Sequence, residues 1–189
     1  MSDASLIARS ALEGLALPAG ADFALTSAKP MARFILRGGE DARAAAGAAF
    51  GAEPPRALGV AGENGGRAAL WLGPDEWLLL AEGGDAAAIF ASLEAALAGT
   101  PHSLVDVSHR QLGLIASGAN AARAISAGCP LDLRARFFPV GMATRTMFDK
   151  AEIALWRRSA TSFHIEIWRS FAPYLVAALE EAARGAPDW

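Results

Sequence analysis

The order of predicted strands and helices is the feature that most constrains the fold of this chain. Short apolar or alternating segments predict strands, and apolar residues three and four positions apart predict helices. The order is strand, helix, strand, strand, helix, strand, followed by strand, helix, strand, strand, helix. The predicted strands are Met31–Leu36, Arg67–Leu72, Glu76–Ala81, Leu104–Val107, Gln111–Ala116, Arg145–Phe148, Glu152–Arg157 and Ser162–Trp168.

Capping residues separate four predicted helices from these strands. Asp41, Asp85, Asn120 and Ser170 each precede a segment with helical periodicity, and their short polar side chains are preferred at helix N-termini. The helices are therefore predicted over Ala42–Phe50, between Asp85 and Gly99, over Ala121–Ala127, and between Ser170 and Gly185 with Pro173 in the first turn.

The first run of elements is the split βαβ, ferredoxin-like arrangement, and the second run resembles a copy of it. Residues 35–44 resemble residues 115–124, and Ala69-Leu70-Trp71 resembles Ala154-Leu155-Trp156. Alanine-rich helices align with many sequences, but the matching Leu-Trp strands favour a true duplication. We predict an α+β fold of two tandem ferredoxin-like βαββα(β) units, one domain over residues 1–189 with pseudo-repeats 30–108 and 110–184.

Composition and charge argue against several classes of protein. Apolar residues make up 53% of the 189 residues, and no apolar run approaches the ~20 residues of a membrane span. The segment Met1–Arg9 has no apolar core of a signal peptide, and the single cysteine, Cys129, suits a reducing compartment. The 17 basic and 20 acidic residues are mixed, without a basic stripe. We predict a cytoplasmic protein that binds neither membrane nor nucleic acid.

The sequence contains no complete catalytic or cofactor motif. Phosphate-binding glycine loops, the zinc motif H-E-x-x-H and the nucleophile motif G-x-S-x-G are absent. Glycines 62, 65 and 66 do not open a predicted helix, so they indicate a loop. The three histidines, His102, His109 and His164, are too widely spaced for a typical zinc site. We predict no catalytic, cofactor or metal site in this chain.

Three local patterns admit a functional or a structural interpretation. Asp106 could orient His109, but Ser108 points to the other side of an extended chain, so a turn contact is favoured. Cys129 follows a predicted helix C-terminus, where a thiolate is disfavoured, so a buried structural cysteine is favoured. Asp132 could be a general base of raised pKa or could cap a turn, and we favour the turn.

Two tryptophan–arginine pairs are the strongest indication of a partner surface. Trp156 precedes Arg157 and Trp168 precedes Arg169, and both tryptophans lie opposite the apolar face of their strands. Tryptophan and arginine are enriched in the hot spots of protein interfaces. The alternative is that helices cover both faces of the sheet and both tryptophans are core residues. We predict that these four residues contribute to a partner interface.

Several stretches resemble known families. Residues 72–78, residues 128–133 together with 138–141, and residues 167–171 resemble the gamma subunit family of heterotetrameric sarcosine oxidase. More broadly, residues 106–109 and 117–122, with Asp132, resemble the start of the glycine-cleavage T-protein (aminomethyltransferase) superfamily. The resemblance runs from about residue 30 to residue 183, and it implies the N-terminal part of the T-protein fold.

The resemblance implies a complex of alpha, beta, gamma and delta subunits. Such complexes oxidatively demethylate sarcosine to glycine, convert oxygen to hydrogen peroxide and can pass the one-carbon unit to tetrahydrofolate. The resemblance places FAD, FMN and NAD in the alpha and beta subunits and tetrahydrofolate in the alpha subunit. It implies no cofactor and no catalytic residue in this chain, which would be a structural assembly subunit.

Departures from the T-protein pattern argue against independent aminomethyl transfer. Residues 142–150 lack the glycine-rich stretch with paired aspartates, and the chain ends at Trp189, before the later T-protein domains. Asp132 and residues 106–109 keep open the alternative of a stand-alone folate-binding protein. A subunit of a related demethylase, acting on dimethylglycine or another N-methyl amine, is a further alternative, because substrate choice lies in the partner's site.

Overall fold

The fold consists of eleven strands and four helices within residues 10–185, the part of the chain that this computed structural model describes. The strands are β1 (Ala24–Ser27), β2 (Met31–Gly38), β3 (Gly59–Val60), β4 (Gly62–Asn64), β5 (Arg67–Gly73), β6 (Glu76–Glu82), β7 (His102–Asp106), β8 (Gln111–Ser117), β9 (Met142–Phe148), β10 (Ala151–Ser159) and β11 (Ser162–Trp168). The helices are α1 (Glu40–Phe50), α2 (Ala86–Leu97), α3 (Ala121–Ser126) and α4 (Ala172–Gly185), and a 3₁₀ turn (Arg169–Phe171) precedes α4.

The strands form two antiparallel sheets. The six-stranded sheet has the order β1-β8-β11-β10-β9-β3, and the five-stranded sheet has the order β4-β5-β6-β2-β7. The eight predicted strands are confirmed with small shifts at their ends. Strands β1, β3 and β4 were missed because each has at most four residues and no strong apolar alternation.

Apolar side chains divide the molecule into four layers, helix–sheet–sheet–helix. One core lies between α1, α2 and the five-stranded sheet, and a second lies between α3, α4 and the six-stranded sheet. A third core lies between the two sheets, where Leu70 and Leu78 of one sheet pack with Ala154 and Trp156 of the other. Each sheet is therefore buried on both faces, which explains why the strands are so apolar.

The strands of the two sheets are arranged in the same spatial order. Strands β4-β5-β6-β2-β7 of the first sheet correspond in order to β9-β10-β11-β8-β1 of the second. The helix after β2 in the first series, and after β8 in the second, leads to a pair of hairpins and then to the second helix. The last position of the second series is occupied by β1, which comes from the start of the described chain and pairs with β8.

One extended segment joins the edges of the two sheets. Residues 59–60 pair with β9, and residues 62–64 pair with β5. Between them, the Ala61 N–H donates to the Gly141 carbonyl at 2.9 Å. The prediction of a loop around Gly62 was therefore wrong for residues 62–64, although Gly65 and Gly66 do form the following turn with positive φ.

The predicted helix caps were partly correct. The Asp85 side chain accepts a hydrogen bond from the Ala87 N–H, as expected of an N-cap. Asp41 lies inside the first turn of α1, and Ser170 lies in the 3₁₀ turn, so both of these cap assignments were wrong. Asn120 occupies the N-cap position of α3, but its side-chain oxygen accepts from Arg123 and not from the helix backbone.

Pro173 lies in the first turn of α4, as predicted. Pro187, expected beyond this helix, and Met1–Arg9, where we expected no signal peptide, lie outside the described residues. No helix within the described range combines the length and the apolar character needed to cross a membrane.

Candidate functional site

A buried ion pair connects the two sheets. Arg33 lies on the inner face of β2 and Glu166 on the inner face of β11, and both side chains are almost completely buried. Arg33 Nε donates to Glu166 Oε2 at 2.5 Å and Nη2 donates to Oε1 at 3.1 Å. This two-point contact matches the planar guanidinium to the planar carboxylate, which makes it both strong and directional.

His164 extends this pair into a three-residue network. Its Nε2 lies 2.7 Å from Glu166 Oε1, and the ring also packs at 5.9 Å from the Trp156 ring. Because an ionised carboxylate only accepts hydrogen bonds, Nε2 carries the proton and donates. The imidazole Nδ1 has no hydrogen-bond partner among the described residues.

The charge state of Glu166 follows from these contacts. Burial on its own raises the pKa of Glu166, but the hydrogen bond and charge of His164 and the contact with Arg33 more than offset burial. The net result is a pKa below the ordinary value for glutamate, so Glu166 is ionised at neutral pH.

A glycine makes room for the network. Gly113 on β8 lies opposite Glu166 in the register. A Cβ atom at this position would lie 2.8 Å from Glu166 Oε1 and 2.9 Å from His164 Nε2. Any larger residue would push the carboxylate and the imidazole out of place.

An open cleft of about 500 Å³ lies between the sheets beside His164. Its wall includes Trp156, with the Arg158 guanidinium 3.6 Å from the centre of the indole ring. Its rim carries two exposed ion pairs, Lys29–Glu82 at 3.0 Å and Arg158–Glu63 at 2.7 Å. The cleft offers the imidazole Nδ1 of His164 beside an indole ring that Arg158 covers, and the charges of both rim ion pairs are already matched.

The structure separates the two predicted tryptophan–arginine pairs. Trp156 is 5% exposed and packs between the sheets, so the five-stranded sheet, and not a helix layer, covers it. Arg157 is also buried, and it donates to the carbonyls of Leu133 and Phe138, both at 2.9 Å. Burial lowers the pKa of Arg157. These two residues are internal, which corrects their assignment to a partner surface.

Trp168 and Arg169 lie at the surface. Trp168 is 40% exposed, and the Arg110 guanidinium lies 4.8 Å from the centre of its ring. Arg169 follows at the start of the 3₁₀ turn, where its N–H donates to the Arg110 carbonyl and its Nη1 to the His109 carbonyl. With Phe171, which is also 40% exposed, they form an aromatic surface that we call the tryptophan patch, defined by Arg110, Trp168, Arg169 and Phe171.

The two acidic candidates, Asp106 and Asp132, each accept a hydrogen bond from the backbone of a turn. Asp132 accepts from the Arg134 N–H at 3.0 Å and pairs with its guanidinium, and this hydrogen bonding lowers the pKa of Asp132 to about 2. This lowered pKa is the opposite of what a general base at neutral pH needs. Asp106 accepts from the Ser108 N–H at 2.8 Å and not from His109. Both favoured turn interpretations are confirmed.

Cys129 is buried, as predicted, with its Sγ 3.6 Å from Thr146 Oγ1. Within residues 10–185, no three histidine, cysteine, aspartate or glutamate side chains come close enough together to hold a metal ion. Of the three patterns that admitted two interpretations, Cys129 lies beside the Thr146 hydroxyl, Asp106 beside the Ser108 N–H and Asp132 beside Arg134.

Sequence reasoning missed the Arg33–Glu166–His164 network. The usable signal was a charged residue at an inward position of an otherwise apolar strand, which occurs at Arg33 in β2 and at Glu166 in β11. The two residues are 133 positions apart, so nothing in the local pattern indicated that they pair.

Replacing Glu166 with glutamine tests the energetic importance of the network. Glu166→Gln keeps the shape but leaves the buried Arg33 without a counter-charge, so we expect the free energy of unfolding to fall by about 3–5 kcal/mol. Lys29→Met, which breaks an exposed ion pair, should cost less than about 1 kcal/mol. Chemical denaturation of both variants measures this, and equal losses would contradict the assigned role.

Acid sensitivity provides a second test. Since the pKa of folded Glu166 is below its unfolded value of about 4.3, its stabilisation is complete above that pH and is lost as the pH falls towards the folded pKa. The free energy of unfolding should therefore decline more steeply below about pH 4.3 in the wild type than in Glu166→Gln. Parallel declines in a pH series of denaturation curves would show that Glu166 does not carry this dependence.

Comparison with known proteins agrees with this picture. Residues 38–185 match the sarcosine oxidase, gamma subunit family. A protein named sarcosine oxidase subunit gamma from Corynebacterium sp. (strain U-96) is 38% identical over 145 residues, which cover 76% of this chain and 70% of the relative.

Solved structures resemble the whole fold. A chain of heterotetrameric sarcosine oxidase from Corynebacterium sp. U-96, solved with pyrrole 2-carboxylate, superposes with a TM-score of 0.86 at 32% identity, covering 96% of this chain and 97% of that one. Aminomethyltransferase T of the glycine cleavage system from Bartonella henselae superposes with a TM-score of 0.63 at 17% identity, over 87% of this chain and 49% of that one, which is a likeness of fold alone. The chain therefore belongs to the sarcosine oxidase gamma subunit family.

Proposed function

We propose that this chain is a non-catalytic assembly subunit of a heterotetrameric sarcosine oxidase. The proposed complex oxidatively demethylates sarcosine to glycine with tetrahydrofolate and oxygen and releases hydrogen peroxide. The observation that carries the proposal is the near-complete superposition on a chain of such a complex, over 96% of this chain. The superposition therefore extends over nearly the full length of both chains.

The state of the ionisable residues supports a structural role. Glu166 is held by Arg33 and His164 between the sheets, and Asp132 is held by Arg134 in a turn. Both carboxylates have pKa values below their ordinary range, so neither suits the acceptance of a proton at neutral pH. Chemistry on sarcosine is accordingly assigned to the partner subunits.

The proposed partners are the alpha, beta and delta subunits. FAD, FMN and NAD are assigned to the alpha and beta subunits and tetrahydrofolate to the alpha subunit, with no cofactor in this chain. A reducing, cytoplasmic location fits the single cysteine, which is buried. The absence of a basic stripe in the sequence fits a partner set without nucleic acid.

We also propose that the domain arose by duplication, as pseudo-repeats 30–108 and 110–184 of the ferredoxin-like kind. The matching strand orders of the two sheets support this proposal. In the second repeat, β1 takes the edge position that β7 occupies in the first. Strand β1, which precedes the first repeat, would then complete the sheet of the second repeat. The two repeats would therefore form one domain and not two independent units.

Co-purification tests the assembly role. We expect the tagged full-length chain, drawn from native lysate of cells grown on an N-methyl amine, to bring down larger subunits together with the absorbance of bound flavin. A chain that elutes alone and colourless under these conditions would contradict the proposal.

The tryptophan patch is the surface proposed for one partner contact. Trp168→Ala should weaken assembly at least ~10-fold, because exposed tryptophan beside arginine is typical of a hot spot. The isolated variant should keep its stability to within about 1 kcal/mol, whereas Trp156→Ala should lose about 3–5 kcal/mol by opening a cavity between the sheets. Native mass spectrometry and denaturation of both variants measure the two effects. Unchanged assembly of Trp168→Ala would remove this patch from the interface.

The inter-sheet cleft supports a second candidate, a stand-alone folate-binding protein of the T-protein kind. Its volume suits a small ligand, and His164 Nδ1 would form a hydrogen bond with a polar group of that ligand. Isothermal titration of the isolated chain with tetrahydrofolate distinguishes the candidates. Under the assembly proposal we expect no heat of binding at high micromolar concentration, and His164→Ala serves as the control for any heat observed at the cleft.

The same fold would also serve a demethylase acting on dimethylglycine or another N-methyl amine. Substrate specificity belongs to the partner's site under this proposal. Activity assays on the complete complex with each amine would choose between these substrates.

A further inference from the structure

A second apolar surface lies at the β3 edge of the six-stranded sheet. Four large apolar side chains on β3, just before it and on the loop before β9 are about half exposed or more: Leu58 at 49%, Val60 at 60%, Phe137 at 51% and Val140 at 54%. They are half of the eight large apolar residues that are exposed in the described chain. We call them the edge patch. Isolated exposed apolar residues are common, but a contiguous group of them marks an interaction site.

Backbone contacts hold the two parts of the edge patch together. The Ala61 N–H donates to the Gly141 carbonyl at 2.9 Å, and β3 pairs with β9 next to this bond. Gly141 has a φ of +89°, and a Cβ there would lie 2.9 Å from Val60 Cγ1. The glycine thus allows the loop to approach β3 closely, and Val140 directly precedes the residue that lies against Val60.

The loop beneath the patch is rigidly supported. The buried Arg157 side chain donates to the carbonyls of Leu133 and Phe138, both at 2.9 Å, and the Phe138 ring is buried in the core. Phe137 and Val140 therefore project from a loop anchored on both sides of Phe137. A pre-ordered surface loses little conformational entropy when a partner binds.

The charge at the patch is net positive, because two guanidinium groups share one nearby carboxylate, that of Asp132. The guanidinium groups of Arg134 and Arg136 lie 5.2 Å and 4.4 Å from the centre of the Phe137 ring. Arg134 pairs with Asp132, but no carboxylate of the described chain forms an ion pair with Arg136. A complementary surface would therefore be apolar with a carboxylate opposite Arg136.

A second copy of this chain does not satisfy that requirement. In a twofold dimer the same patch faces itself, so the arginines of one copy would approach those of the other. Like charges at an interface disfavour the contact. A different chain that presents a carboxylate fits better.

The edge patch is separate from the tryptophan patch. Gly59, Ala143, Trp156 and His164 form one row across the six-stranded sheet, from β3 to β11. Trp168 lies four residues further along β11. With strands ~4.8 Å apart and ~3.4 Å per residue, the two patches are roughly 20 Å apart. One flat contact centred on Trp168 would not by itself cover the edge patch.

We propose that the edge patch is a second docking surface for a partner subunit, one whose contacting face is apolar and carries a carboxylate opposite Arg136. This inference rests on the proposed assembly function. It assigns to this chain two separate binding faces, through which it would hold two regions of the complex in a fixed relation.

The test uses the full-length chain assembled with its alpha, beta and delta partners. Val60→Glu combined with Val140→Glu should raise the dissociation constant of this chain at least ~10-fold, because carboxylates would replace the apolar centre of the contact. Arg136→Glu should do the same by reversing the charge. Val105→Glu is the matched control, since this valine is 48% exposed on the edge of the other sheet.

The outcomes separate this inference from the proposed function. If the wild-type chain assembles and both edge-patch variants assemble equally well, the second docking surface is wrong while the assembly role stands. If the wild-type chain does not assemble, the proposed function itself fails. Self-association of the isolated chain that Val60→Glu abolishes, measured by sedimentation, would replace the partner by a second copy. Arg136→Glu, an exposed change, keeps the test valid if the double variant unfolds.

Discussion

The ion pair between Arg33 and Glu166 determines how the two halves of this protein fit together. Each residue is charged, and each lies on the inner face of a different sheet, where burial of a lone charge would be prohibitive. The sheets pack so that the guanidinium and the carboxylate meet and compensate each other. His164 satisfies a further lone pair of Glu166, and the missing side chain of Gly113 provides the space. The apolar contacts bury surface between the sheets, and the ion pair adds a contact that depends on the orientation of the two groups.

The proposed assembly role fits the way the polar side chains of this fold are used. Asp132 is bound by an arginine and Asp106 by turn backbone, and the buried histidine contacts the carboxylate that joins the sheets. The exposed features left over are aromatic and basic: Trp168 with Arg110, and Phe137 with Arg136. Such surfaces suit binding to other chains better than chemistry on a small substrate.

Local sequence pattern predicted the elements well but not their assembly. Alternation along Ser162–Trp168 correctly separated an apolar face from the opposite face, because the side-chain period of a strand is local. The same pattern left Trp156 ambiguous, since it does not reveal that a second sheet covers that face. Arg157 was misread for a related reason: the carbonyls that bind it come from residues 133 and 138, in a loop with no periodic pattern. The ion pair itself joins positions 133 residues apart.

Reconstitution of the complex with and without this chain tests the central claim most directly. The measurement is the rate of sarcosine oxidation per bound flavin, together with the mass of the assembly. The account predicts that the isolated chain has no activity and that the remaining subunits fail to form a stable, fully active complex without it. A stable complex with undiminished activity in its absence, or turnover by the isolated chain, would contradict the account.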